Sequence, residues 1–115
     1  MYEIKAYVRE TMAEHVIDGL AEVPGVTSIA VVPLSEFGHS TAGGGNHLAK
    51  VRMVKLEVDV ADEASAWEVS GVIVEKARTQ DGHPGDGKVL VSRLVRAIRI
   101  EDGVVDEEAL SRPGS

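Results

Sequence analysis

A strand-like alternation followed by a helical stripe and a further strand occurs twice in this chain, in the same order. That doubling limits the fold more than any other feature. Residues 2–8 alternate Tyr2, Ile4, Ala6 and Val8 with Glu3, Lys5 and Tyr7, the period of a half-buried strand. Thr11 and Glu14 have the spacing of a capping box. Met12, Val16, Leu20 and Val23 then form one helical stripe, with Ala13, Ile17 and Ala21 beside it, and Pro24-Gly25 stops the helix. Residues 27–34 read as a second strand, in which Pro33 is unsuited to a central ladder position. The second round begins with a strand from Lys50 to Val60. Asp62 is placed to cap a helix over 63–79, with Ala66, Val69, Ile73 and Ala77 on one face. The stretch from Lys88 to Ile100 is strand-rich. Between the rounds, residues 35–49 read as a long loop made flexible by Gly43, Gly44 and Gly45. A loop of that length in a small domain is usually functional or disordered.

Two strand–helix–strand halves predict an α+β, ferredoxin-like βαββαβ domain over residues 1–110, with a loose tail at 111–115. Right-handed crossovers place both helices on one face of an antiparallel sheet. The chain has 115 residues, 43% of them hydrophobic, but only one Trp, one Phe and two Tyr, so the core must rest on Val, Ile, Leu and Ala. Val-rich strands are expected to show apolar residues on the uncovered face too, and self-association is the simplest cover. Cysteine is absent, which excludes disulfides and thiolate chemistry. The net charge of −7 argues against nucleic-acid binding, which needs a basic footprint. No apolar run approaches a membrane span, and the alternating start at Met1 is not a signal peptide. A cytoplasmic protein, not embedded in a membrane, is the expectation.

The stretch from Ala77 to Val91 carries the strongest chemical signal. A helix end runs into a loop with Gly82, Gly85 and Gly87, and Lys88 follows at the start of a β-branched strand. Such a loop can offer several backbone N–H groups and one ammonium to a phosphate. Asp86-Gly87 reads equally as a tight turn before a strand. His39, His47 and His83 are candidate metal ligands by residue type, but they lack the close spacing of a metal motif and suit solvent-exposed loop positions. His15 falls opposite the apolar stripe. Trp67 suits packing or an interface. Ser92 and Ser111 have no nearby base, and no acid–base pair stands out, so an enzyme is not expected.

Read in order, Ile4-Lys5-Ala6-Tyr7-Val8, Phe37-Gly38, Lys55-Leu56-Glu57, Ala77-Arg78-Thr79, Gly85-Asp86-Gly87-Lys88 and Ala97-Ile98-Arg99-Ile100 resemble the PII signalling proteins. The likeness spans about residue 3 to 110. It implies a homotrimer whose clefts between subunits hold ATP, ADP or AMP, with Mg as a candidate companion, and which regulates a target protein through the long loop. By position, Gly85, Asp86, Gly87 and Lys88 would form the phosphate cradle, Arg99 would add a charge, and Gly38 and His39 would stand at the loop base. Lys88 and Arg99 are an odd number of residues apart, so a straight strand would point them to opposite faces. A bend near Ser92-Arg93 is therefore required.

The departures from the likeness are specific. The nitrogen-sensing type carries Gly-Phe-Gly-Arg-Gln where this chain has Glu36-Phe37-Gly38-His39-Ser40. The loop is shorter and has no tyrosine to modify. The lysine that grips 2-oxoglutarate falls near Met53, and a terminal arginine is replaced by Glu101. A divergent PII-like regulator, of the kind found beside transporters, is implied. The alternatives are a metal-responsive trimer using the loop histidines and a sensor of bicarbonate or a cyclic nucleotide.

Overall fold

A computed structural model describes residues 1–39 and 48–111. Four strands, β1 (Tyr2–Arg9), β2 (Ala30–His39), β3 (Leu48–Val60) and β4 (Gly87–Arg93), make one sheet in the order β2-β3-β1-β4. Every pairing is antiparallel. The helices α1 (Ala13–Ala21) and α2 (Glu63–Ala77) pack against each other and against one sheet face. This is the ferredoxin-like layout.

The core lies between the helices and that face. The period-two alternation of β1 sends Ile4, Ala6 and Val8 inward, and β3 adds Val54, Leu56, Val58 and Val60. Val16, Leu20 and Val23 answer from α1 and its end, and Ala66, Val69, Ile73 and Ala77 from α2. Each large aliphatic side chain buried this way stabilises the fold by about 1.5–3 kcal/mol.

Local structure departs from the sequence expectations in several places. Thr11 and Glu14 form no capping box. The chain leaves β1 directly into a 3₁₀ turn, Glu10–Met12, and the residue before α1 is Met12, which makes no side-chain cap. Arg9, not Thr11, is the last extended residue, so the Thr11 hydroxyl sits inside a turn and not ahead of one. Asp62 does cap α2, accepting the Ser65 N–H at 2.8 Å. That helix ends at Ala77 because Arg78 is already extended, two residues short of the expected end.

β2 starts later and runs further than residues 27–34. It reaches His39, and β3 begins at Leu48, so much of the expected 35–49 loop is strand. Pro33 sits within β2 opposite Val54, which is tolerated because β2 is an edge strand. Pairing with β1 stops at Met53–Arg9, whereas β2 and β3 stay paired out to His39–Leu48. The far part is therefore a two-stranded ribbon standing off the body, and the molecule measures 54 × 24 × 21 Å. Ser40, the three glycines and His47 lie outside the described residues, as do residues 112–115.

β4 is shorter than expected, ending at Arg93. Leu94 then donates to the Met1 carbonyl, and a tight loop closes on an isolated Ile98–Val105 bridge. The required break in the strand is thus an end, and Arg99 belongs to a separate loop. A 3₁₀ turn, Asp106–Leu110, follows.

The uncovered sheet face mixes apolar residues, as expected, with charged ones: the register places Tyr7, Leu34, Val51 and Met53 on it. Val54, Leu56, Val58 and Val60 of β3 face the helices, and the charged Glu3, Lys5, Lys55 and Glu57 hold the centre of the open face. Lys5–Glu3 and Lys55–Glu57 are ion pairs of 3.3 and 3.2 Å. Val32 and Leu90 add partly exposed apolar area.

Candidate phosphate-binding cleft

The glycine loop owes its shape to residues that only glycine can replace. Gly82, Gly85 and Gly87 all have positive φ, a region that side chains with a Cβ disfavour. Gly87 is the tightest point. Its φ is +118°, and a Cβ there would lie 1.7 Å from the Tyr7 carbonyl oxygen. Gly87 opposes Val8 and Lys88 opposes Tyr7 in the β1–β4 ladder, so this close approach is what lets the loop enter the sheet.

Asp86 organises the rest of the loop. Its Oδ1 accepts the Thr79 hydroxyl at 2.6 Å and Arg9 Nε at 3.1 Å. Its Oδ2 accepts the backbone N–H groups of His83 at 2.9 Å and Thr79 at 3.1 Å. The Thr79 hydroxyl is the largest cause holding this carboxyl well below the usual carboxylate range, followed by the His83 N–H, with the Thr79 N–H and Arg9 adding to them. His83 closes the loop from the other side, with Nδ1 3.0 Å from the Thr79 carbonyl. A carbonyl oxygen only accepts, so Nδ1 carries the hydrogen.

The outer side of this loop faces the base of the ribbon across a cleft of about 220 Å³. The ribbon contributes Glu36, Gly38, Val51 and Met53, and the loop contributes Gly85, Gly87 and Lys88. Lys88 is exposed, stands with its ammonium 5.2 Å from the Tyr7 ring centre, and makes no ion pair among the described residues. Gly38 has neither a positive φ nor any neighbour within 4 Å of a Cβ position, so the fold itself does not require glycine there. Its lack of a side chain keeps the cleft open.

Comparison with known proteins places the fold and the sequence in a family. The family model described as nitrogen regulatory protein P-II matches residues 1–104. The chain belongs to the P-II family. The nitrogen regulatory protein P-II of Haemophilus influenzae is 30% identical over 116 residues, covering 96% of this chain and 100% of the relative. The P-II 1 protein of Escherichia coli K12 matches to the same extent. Among solved structures, a GlnK–ATP complex of B. subtilis superposes with a TM-score of 0.77 at 23% identity, covering 94% of this chain and 95% of that one, a likeness of fold. P-II proteins are regulatory signalling proteins rather than enzymes, and they act on partner proteins.

Within this P-II chain, Gly38, Gly85, Gly87 and Lys88 come together in one cleft. Asp86 belongs to the same loop, but its carboxylate is turned inward and occupied. His39 is exposed at the end of β2 opposite Leu48 and does not line the cleft. Arg99 lies elsewhere, paired with Asp102 at 2.8 Å and donating to the Glu108 and Ser111 carbonyls. Asp102 raises its pKa above the usual arginine value. Glu101 is exposed on the same loop.

One residue beside the cleft, Arg9, escapes a reading of the sequence, and two already met there, Glu36 and Met53, take definite places. Arg9 ends β1 with nothing nearby in the chain to mark it, and only the strand register brings it to Asp86. Glu36 puts a carboxylate on the wall facing Lys88. Met53, where the resemblance places a lysine, is 3% exposed and gives the cleft an apolar patch instead. No group of three or more His, Asp or Glu able to hold a metal occurs among the described residues. A Mg ion here would take most of its ligands from phosphate oxygens and water, with Glu36 the one carboxylate lining the cleft among the described residues. No helix among the described residues is long and apolar enough to cross a membrane.

Proposed function

We propose that this P-II protein binds an adenine nucleotide with its phosphates against Gly85–Lys88, and signals the bound state to a target protein through the β2–β3 ribbon and the segment it carries. One observation carries the reading. An ammonium without an ionic partner among the described residues and a rigidly braced glycine loop face an open cleft whose opposite wall has a glycine, Gly38, that the fold does not need. Backbone N–H groups at such a loop favour an anion. The adenine nucleotide is chosen over other phosphates because the related B. subtilis GlnK is described as an ATP complex.

A homotrimer completes the reading. Val95 and Ile100 are 97% and 99% exposed and Ile98 is 59% exposed, all in the loop after β4 that also holds Arg99. Apolar side chains so bare suit burial against another copy, and a neighbouring copy could then bring Arg99 to the cleft. The target is a regulated protein, with a membrane transporter as the working candidate. Met53 and Ser40 make 2-oxoglutarate a poor second ligand.

Titration calorimetry with ATP, ADP and AMP tests the central claim. Micromolar binding by the natural protein and at least a tenfold loss in Lys88→Ala are expected, since a charge-assisted phosphate contact is worth roughly 1.5–3 kcal/mol. Equal affinity in the two proteins would refute the phosphate assignment. Light scattering on a sizing column tests the trimer.

A further inference from the structure

We infer that Arg9 is a positioning residue for phosphate binding: from the end of β1 it clamps the glycine loop through Asp86 and Pro84, and so aims the loop's N–H groups and Lys88 into the cleft. The inference rests on the nucleotide reading above. Arg9 is held by the sheet, paired with Met53 and one place beyond the Val8–Gly87 rung. Its guanidinium reaches two different acceptors. Nε donates to Asp86 Oδ1 at 3.1 Å, and a terminal nitrogen donates to the Pro84 carbonyl at 2.9 Å. It also lies 3.2 Å from the position a Cβ on Gly85 would take, so it covers that glycine from behind.

The other bonds to Asp86 come from Thr79 and His83, which belong to the loop itself. They give the loop its internal shape but do not tie it to the sheet. Beside the ladder that begins at Gly87, Arg9 adds a side-chain tie to the sheet, and a planar fork with two acceptors sets orientation as well as distance. It has a second consequence. A bare carboxylate in the phosphate loop would repel a polyphosphate. The Arg9 ion pair offsets that charge and leaves Lys88 and Glu36 as the charged side chains lining the cleft.

The test compares ADP with adenosine by calorimetry in the natural protein, Arg9→Gln, Arg9→Lys and Asp86→Asn. The adenosine measurement isolates the part of binding that needs no phosphate. Arg9→Gln should lower ADP affinity about tenfold and leave adenosine affinity within about twofold. Arg9→Lys should recover part of the loss, since an ammonium can pair with Asp86 but does not reproduce the fork. Arg9→Gln added to Asp86→Asn should cost less than Arg9→Gln alone, because the Arg9–Asp86 ion pair is already lost and only the bond to Pro84 remains to lose. Equal losses for ADP and adenosine, or full additivity with Asp86→Asn, would overturn the positioning role; additivity would instead mean direct contact between Arg9 and phosphate.

Hydrogen exchange at the Thr79, His83 and Asp86 amides, which donate to Asp86 Oδ2 and to the His83 carbonyl, provides a separate arm without ligand. Exchange should quicken at least about tenfold in Arg9→Gln while the β1–β3 amides hold, and unchanged loop exchange would sink the clamp even if nucleotide binding were absent altogether. If Arg9→Gln fails to fold, Arg9→Lys carries both measurements. Absence of ADP binding by the natural protein would strike the nucleotide reading and leave the exchange result to decide the clamp.

Discussion

Replacing Gly87 with alanine should uncouple β4 from β1 at its entry. A Cβ on the present backbone would lie 1.7 Å from Tyr7 O, 2.8 Å from Tyr7 C and 3.3 Å from Val8 Cα. All three are backbone atoms, so no rotamer change relieves the clash. Reaching an ordinary C···O separation requires the strands to part by about 1.5 Å there. That movement would cost one or two ladder hydrogen bonds, at roughly 0.5–1.5 kcal/mol each. The positive φ adds about 1–3 kcal/mol of strain if the turn keeps its shape. The expected total is about 3 kcal/mol, with nucleotide affinity lost as Lys88 moves. Urea unfolding at one fixed protomer concentration measures it, because an oligomer's apparent stability depends on concentration. Gly38→Ala is the control: with no positive φ and no neighbour within 4 Å, it should change stability by less than about 0.5 kcal/mol, yet weaken nucleotide binding by filling the cleft. If Gly87→Ala unfolds at the same urea concentration as the natural protein, the close approach of Gly87 to Tyr7 does not exist in solution.

Other outcomes follow from the same geometry. Asp86 titrates below its unfolded value, so its stabilisation is complete above about pH 4 and fades as pH falls through the lower folded value; Asp86→Asn should flatten that acid limb in a pH series of thermal melts, and an unchanged limb would mean other carboxylates control it. Asp59 has its pKa raised, first by burial and then by Glu3 and Glu57, so its charge works against folding at neutral pH. Asp59→Asn should raise stability by a few tenths of a kcal/mol at pH 7 and lose that advantage in acid, which a pair of melts at two pH values would detect. Glu101→Arg should raise ATP affinity more than AMP affinity if the loop after β4 meets the terminal phosphate of a neighbouring copy, and equal gains by calorimetry would place residue 101 elsewhere.

Element type and order were legible because the periods are clean. Tyr2–Arg9 alternates without a break, and Ala66, Val69, Ile73 and Ala77 keep a helical spacing that the core then uses. The glycine loop was legible from Gly85 to Lys88, since chemistry and spacing coincide there. Boundaries were less so. The run Ser35–His39 has a single apolar residue, Phe37, and so no apolar alternation, yet it is strand because β3 gives its backbone partners, a long-range cause that a local pattern cannot carry. Thr11 and Glu14 had the right spacing for a cap, but β1 extends to Arg9 and claims the place of the helix entry. Asp86 looked like part of a ligand cradle, whereas its carboxylate faces Arg9, Thr79 and His83. That orientation depends on a partner 77 residues away in the chain.

Pro33 has a consequence for how copies of this chain meet. An exposed edge strand is a template on which further strands can add without limit, and β2 carries the half-exposed Val31 and Val32 along such an edge. Pro33 offers no N–H and divides the edge into a short stretch before it and the ribbon after it. Strand addition from another copy would lose its hydrogen-bond continuity within a few residues. The protein can thus keep a long, projecting edge while remaining poorly suited to open-ended sheet growth, and replacing Pro33 with a β-branched residue would remove that guard against fibre formation.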